Sequence, residues 1–113
     1  MLSAATALKT NAAVFAALGD ATRLSLLAKL TEGEPQSIAR LTSGTRLTRQ
    51  GVTKHLRVLE EAGIVRSLRV GRESQFALEP KPIEDVRLYL EHVSRQWGQA
   101  LMRLKTMVES ETA

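Results

Sequence analysis

The spacing of hydrophobic residues changes several times along the chain, and each change marks an element. From about Ala4 to Leu18, Leu8, Ala12, Phe15 and Leu18 share one stripe at helical spacing, which predicts an amphipathic helix. Gly19 ends it, and Asp20 is a good N-cap for a second helix, Ala21 to about Thr31, with Leu24, Leu27 and Leu30 on an inward ridge and Leu26 beside it. Thr31-Glu-Gly-Glu-Pro35 is a turn, followed by a short helix from about Gln36 to Thr42 carrying Ile38 and Leu41 inward. After the break at Ser43-Gly44, Thr48 can cap a helix reaching Ala62. Its apolar stripe is Val52, Leu56 and Leu59, and Gly63 is placed to end it in the left-handed conformation.

Beyond Gly63 the period shortens. Ile64-Val65 and Leu68–Val70 are strand-like, Gly71-Arg72 is a turn, and Ser74 to Leu78 alternates as a returning strand. Pro80 and Pro82 predict that no helix resumes before Ile83. From there Ile83, Val86, Leu90, Val93, Trp97, Ala100, Leu104 and Met107 keep alternating spacings of three and four without a polar intrusion. A stripe of that length predicts a helix packed lengthwise against another helix. The N-terminal helix can cover part of it, and the same helix of a second copy is the natural partner for the rest. A homodimer is expected, with Leu8, Phe15, Val86, Leu90, Val93, Trp97, Leu101 and Leu104 at its interface. Phe15 and Phe76 read as core, and the run Glu109 to Glu111 as a fraying end.

Composition narrows the class. At 113 residues, 43% hydrophobic and 25% charged, the chain fits one globular domain, with no internal repeat and no Pro/Gly-rich linker to divide it. It has no cysteine, which excludes disulfides, thiolate metal sites and cysteine nucleophiles and predicts a cytoplasmic location. Its apolar runs are short, so no membrane span is expected, and the first twenty residues lack the basic and apolar blocks of a secretory leader. Two histidines in different elements, with no phosphate-loop or dinucleotide-binding motif, leave little for catalysis. The chain is not expected to be an enzyme, and no cofactor is expected.

Charge changes the picture most. The net charge of +4 is unevenly spread. Residues 1–37 sum to zero and residues 78–113 to −1. Between them, Arg40, Arg46, Arg49, Lys54, Arg57, Arg66, Arg69 and Arg72 oppose only Glu60, Glu61 and Glu73, a local +5. A basic middle between neutral ends is the footprint of a polyanion site, most often nucleic acid.

The order of elements gives that footprint a form. From Ile38 to Gly63 a short helix, a glycine turn and a longer helix have the layout of a helix-turn-helix, and the hairpin after it has that of a wing. The polar face of the longer helix carries Arg49, Gln50, Thr53, Lys54 and Arg57, the side chains suited to the major groove. Arg49, Gln50 and Thr53, in the first turns, are the expected base readers. Lys54, His55 and Arg57 suit phosphates, and Arg46 and Thr48, just before the helix, are expected among the DNA-binding residues. Arg69 and Arg72 around the glycine turn suit the backbone or the minor groove. Gly51, which costs about 1 kcal/mol inside a helix relative to Ala, is assigned no role.

Two segments carry a resemblance. Phe15-Ala-Ala-Leu-Gly-Asp-Ala-Thr-Arg-Leu-Ser-Leu-Leu27 resembles the opening signature of ArsR-type winged helix-turn-helix regulators. Thr48-Arg-Gln-Gly-Val-Thr-Lys-His-Leu-Arg-Val-Leu-Glu-Glu-Ala-Gly-Ile-Val65 resembles their recognition helix running into the wing. The likeness covers about residues 12–80, with both signatures in the right order and at the right distance. It implies a dimeric bacterial or archaeal repressor that binds palindromic operators and commonly controls its own operon. The chain departs from the metal-sensing members of that family. Ser37 to Thr42 holds no cysteine pair, and on the last helix Glu84, Asp85, Glu91 and His92 lack the spaced second histidine of the other family site. No metal site is expected.

The sequence therefore predicts a mainly α fold with a small β-hairpin wing, dimerising through its terminal helices. Within 1–113 it comprises an N-terminal helix (1–18), a DNA-binding core with wing (20–78) and a dimerisation helix (83–109). The expected partners are double-stranded DNA and a second copy, acting as an autoregulating repressor on a palindromic operator. Two alternatives remain at this point: a winged-helix module meeting an acidic protein, and a repressor responding to a small molecule or to a metal through non-thiolate ligands. The residues name no effector.

Overall fold

The computed structural model describes residues 4–112; residues 1–3 and 113 of the expected domain lie outside the described part. The elements follow as α1 (Ala4–Leu18), α2 (Ala21–Leu30), β1 (Gln36–Ser37), α3 (Ile38–Thr42), α4 (Arg49–Glu61), β2 (Val65–Val70), β3 (Glu73–Leu78) and α5 (Pro80–Thr112). This is a mainly α winged helix-turn-helix, with its three strands antiparallel in the order β1-β3-β2.

Local chemistry sets the boundaries. Asp20, Ser37 and Thr48, all extended, cap α2, α3 and α4 by accepting the backbone N–H three residues on, at 3.0, 3.1 and 3.0 Å. At the far end of α4, Gly63 at φ 78° donates its N–H to the Glu60 carbonyl, and Ile64 donates to that of Leu59. That pair of bonds is a Schellman motif, and Leu59 and Ile64 are both fully buried beside it. The hairpin closes on Gly71-Arg72, with Val70 opposite Glu73. Gly71 at φ 63° followed by an arginine of ordinary φ is the glycine-first order of a type II′ turn, whose twist matches the strands.

One core joins every helix. Val14 and Ala17 of α1, Leu26 and Leu30 of α2, Leu41 of α3 and Val52, Leu56 and Leu59 of α4 meet Ile64, Val65, Phe76 and Val86. Several expectations change here. On α1 the buried face is Val14 and Ala17, with Phe15 and Leu18 half-buried, while Leu8 and Ala12 are exposed. On α2 Leu26 and Leu30 are buried and Leu27 packs half-buried against the core, but Leu24 is 51% exposed. Gln36 and Ser37 form a strand rather than the start of a helix, because Gln36 pairs with Phe76 across the sheet and its buried amide donates to the Lys29 carbonyl at 2.7 Å.

The last helix also starts earlier and ends later than expected. Pro80 and Pro82 lie inside its first turn, where backbone N–H groups have no intrahelical partner to lose. The segment Glu109 to Glu111 continues the helix. Val86, expected at a dimer interface, is buried in the core of its own chain. Phe15 likewise packs within the chain, its ring 5.9 Å from that of Tyr89 on α5. Beyond Val93 every residue of α5 through Glu111 is exposed, and the helix stretches the molecule to 71 Å.

Candidate nucleic-acid interface

The surface to be explained lies on α4. Burial of Val52, Leu56 and Leu59 fixes the rotation of this helix and turns the opposite side outward. Arg49, Gln50, Lys54 and Arg57 are exposed there, with Thr53 half-buried among them. Together with Ile38 and Ala39 of α3 they line an open groove of about 620 Å³. The five outward residues of the sequence prediction are thus brought together, and the two apolar residues beneath them are an addition. Ile38 packs half-buried against the core, as its spacing with Leu41 predicts, and borders the groove as well; a five-residue helix gives no periodic signal for that second exposure or for Ala39.

The electrostatics of the groove are unbalanced. Among the described residues, Arg40, Arg46, Arg49, Lys54, Arg57, Arg69 and Arg72 have no carboxylate at ion-pair distance. Among the arginines and the lysine of the basic middle segment only Arg66 is paired, with Glu79 at 3.0 Å. Elsewhere Lys81 pairs with Asp85 and Arg87 with Glu84 and Glu91. Of the unpaired cations, Arg49, Lys54 and Arg57 line the groove, where their charges are left available for an external polyanion, while Arg40 lines a separate hollow with Glu32 and Glu34.

The side chains differ in what they can offer. Arg49, Gln50, Lys54 and Arg57 carry free donors. The Thr53 hydroxyl donates to the Arg49 carbonyl at 2.7 Å, so its proton is committed within the helix. The Thr48 oxygen accepts the Gly51 N–H, leaving its own hydroxyl proton free to donate. Gly51 acquires a reason here: a Cβ at that position would stand 3.2 Å from the capping oxygen and force it aside by a few tenths of an ångström.

His55 departs from the set. It is half-buried on the inner side of α4, with Nδ1 3.4 Å from Arg23 Nη1 and 3.9 Å from Asp20 Oδ2. Arg23 in turn donates to the Ala17 carbonyl at 2.6 Å and the Ala16 carbonyl at 3.3 Å, closing the C-terminus of α1. The hydrogen bond from the Arg23 backbone to Asp20 holds that carboxyl below the usual aspartate range, helped by the charges of Arg23 and His55. This cluster ties the α1–α2 corner to α4 and lies away from the outward groove.

A second clamp escaped the sequence reading. Lys29 of α2 donates to the Leu41 carbonyl at 3.0 Å and reaches the Ser43 carbonyl at 3.5 Å, holding the end of α3 where the chain turns toward α4. Thr45 adds to this turn by donating to the Thr42 carbonyl at 2.6 Å and accepting from the Leu47 N–H. In the wing, Arg69 is opposite Ser74 and shares the face of Phe76, while Arg72 occupies the turn itself. On α5, Glu84, Asp85 and Glu91 are engaged by Arg87 and Lys81, and no group of three potential metal ligands occurs among the described residues.

A family model described as a helix-turn-helix domain matches residues 18–67. The transcriptional regulator YuzN of Bacillus subtilis, named as HTH-type, is 36% identical over 80 residues, covering 66% of this chain and 87% of that protein. A solved ArsR-like transcriptional regulator from Rhodococcus sp. RHA1 superposes with a TM-score of 0.78 at 32% identity, over 88% of this chain and 93% of the other. The chain belongs to the ArsR family of winged helix-turn-helix transcriptional regulators. As a member it is a DNA-binding regulator of transcription rather than an enzyme, and it lacks the cysteines of the family's thiolate metal sites. The fold is shared at 21% identity by the homodimeric winged helix-turn-helix DNA-binding domain of Mb0332 from Mycobacterium bovis. There the TM-score is 0.67, over 84% of this chain and 89% of that one. No helix among the described residues of this ArsR-family chain is long and apolar enough to cross a membrane.

Proposed function

We propose that this regulator is a homodimeric repressor that occupies a two-fold operator, its own promoter included. The observation that carries the reading is the groove of α4, where Arg49, Gln50, Lys54 and Arg57 stand unpaired around Thr53. In this reading α4 enters the major groove, Arg49, Gln50 and Thr53 face base edges, and Arg46, Thr48, Lys54 and Arg57 face phosphates. Arg69 and Arg72 of the wing follow the adjacent backbone or minor groove. His55 acts from within, by setting α4 against Asp20 and Arg23.

Support for the dimer comes from α5. Leu90, Trp97, Leu101 and Leu104 are at least half exposed on a single chain, and Trp97 is 70% exposed. A continuous apolar stripe on a helix that projects past its own domain calls for a second copy, and the homodimeric state of the Mycobacterium bovis domain agrees. Leu8 and Phe15 border this region from α1, beside Tyr89 of α5. Two recognition helices related by a two-fold axis would read half-sites about one helical turn apart, or a multiple of it.

Selection of bound sequences from a random duplex pool at physiological salt tests the reading. Enrichment of an inverted repeat is the expected result. Salt-dependent binding with no enriched sequence, from a folded dimer, would overturn sequence-specific recognition and favour an acidic protein partner for the basic face.

A further inference from the structure

The outward face of α4 is not uniformly polar, and the exception is specific. Among the cations, Ile38 and Ala39 of α3 and Thr53 of α4 form an apolar floor. Ala39 is exposed and Ile38 and Thr53 are half-buried, so the floor is open to whatever enters the groove. Thr53 would break this apolar character if its hydroxyl faced outward as a donor. It does not: the hydroxyl donates to the Arg49 carbonyl at 2.7 Å. What remains for a base edge is a methyl group and the oxygen lone pairs.

In the major groove, bases differ in what they present, and only thymine presents a methyl group, at C5. An apolar notch ringed by arginines matches that pattern, because the arginines hold phosphates and acceptor-rich bases while the notch offers neither donor nor charge. We infer that Thr53, with Ile38 and Ala39, is a specificity-determining site for the C5 methyl of one thymine in each half-site. This rests on the reading of α4 as the element in the major groove and adds the base it selects and the atom it selects by. Arg49 and Gln50, one turn earlier on the same helix, then read neighbouring positions through hydrogen bonds.

The test separates this inference from the reading beneath it. In the selected operator, each thymine is replaced in turn by deoxyuridine, which removes only the C5 methyl, and affinity is measured by fluorescence anisotropy. One thymine per half-site is expected to be sensitive, with binding about four-fold weaker per half-site, the value of one buried methyl. The ratio of thymine to deoxyuridine affinity is then measured for two variants. Thr53→Ser, which removes the side-chain methyl, is expected to bring the ratio close to one. Thr53→Val, which keeps the methyl and removes the hydroxyl, is expected to retain it. Tight binding to the unmodified operator with every deoxyuridine tolerated would overturn the inference and leave the regulator reading intact. Loss of the ratio in Thr53→Val with retention in Thr53→Ser would assign the reading to the hydroxyl and also overturn it. A pool yielding no enriched sequence would overturn both.

Discussion

Single residues hold the reading surface in place from behind. Lys29 is the clearest case, since its ammonium group links α2 to the end of α3 through the Leu41 carbonyl. Lys29→Met keeps the aliphatic stem and removes the donor. A hydrogen bond from a charged group contributes about 1.5–3 kcal/mol, and the bond to Leu41 O is partly buried. The variant is expected to lower stability by about 1–2 kcal/mol, read as a lower urea midpoint at unchanged slope; an unchanged midpoint would remove Lys29 from this role. Asp20 gives a pH dependence with a definite sign. Its carboxyl is held below the ordinary value by the Arg23 backbone hydrogen bond, so the folded state favours the ionised form. That contribution is fully present above the unfolded aspartate pKa, near about 3.9, and is lost as pH falls through the lower folded value. Asp20→Asn keeps a capping side chain without the titration. Between pH 5 and pH 3, wild type is expected to lose more of its thermal midpoint than Asp20→Asn, and equal losses would contradict the assignment.

At the scale of elements, legibility in the sequence tracks how local the deciding interactions are. Helix α4 is the best-read element because its stripe, its Thr48 cap and its Gly63 terminator lie within sixteen residues of one another and agree. The outward face follows from that rotation, and so does most of the candidate site. The wing is legible for the same reason, from a glycine turn between two short alternating runs. Helix α1 is misread because alanines surround its stripe, and spacing cannot tell Leu8 and Ala12 from Val14 and Ala17 without the neighbours that bury them. A two-residue strand such as β1 has no period at all, and its pairing partner Phe76 is forty residues away. His55 meets Arg23 across 32 residues and Lys29 reaches the Leu41 carbonyl across 12, from elements whose spacing carries no trace of the other, so their roles appear only in three dimensions. The division of labour between α4 and the wing is measurable. Lys54→Ala and Arg72→Ala are each expected to weaken binding to all sequences alike and to reduce the slope of log affinity against log salt by about one. Arg49→Ala and Gln50→Ala are instead expected to relax base preference at one position per half-site. A sequence-selective loss in Lys54→Ala would reverse its assignment.

For the whole molecule, the distribution of exposed apolar surface is what supports the proposed pairing of two chains. The first half of α5 is spent on its own domain, with Val86 in the core and Tyr89 against Phe15. In the second half every residue from Ser94 to Glu111 is exposed, and Trp97, Leu101, Leu104, Met107 and Val108 lie along one side. Leu104 is more than half exposed on a single chain and outside its core, which makes it a probe of assembly. Leu104→Glu places a charge in the middle of that side, where pairing with a second copy would desolvate it. The variant is expected to sediment as a monomer with a wild-type circular dichroism spectrum for the folded domain. Its operator affinity is expected to fall by about 10²–10⁴, because two half-sites are no longer engaged by linked modules. Its affinity for a single half-site is expected to change little. Trp97, the sole tryptophan, reports the same event directly, since its emission should shift to the red as a wild-type dimer dissociates on dilution and should already be red-shifted in Leu104→Glu. A variant that remains dimeric, with a buried tryptophan spectrum, would move the pairing surface away from this half of α5 and toward α1.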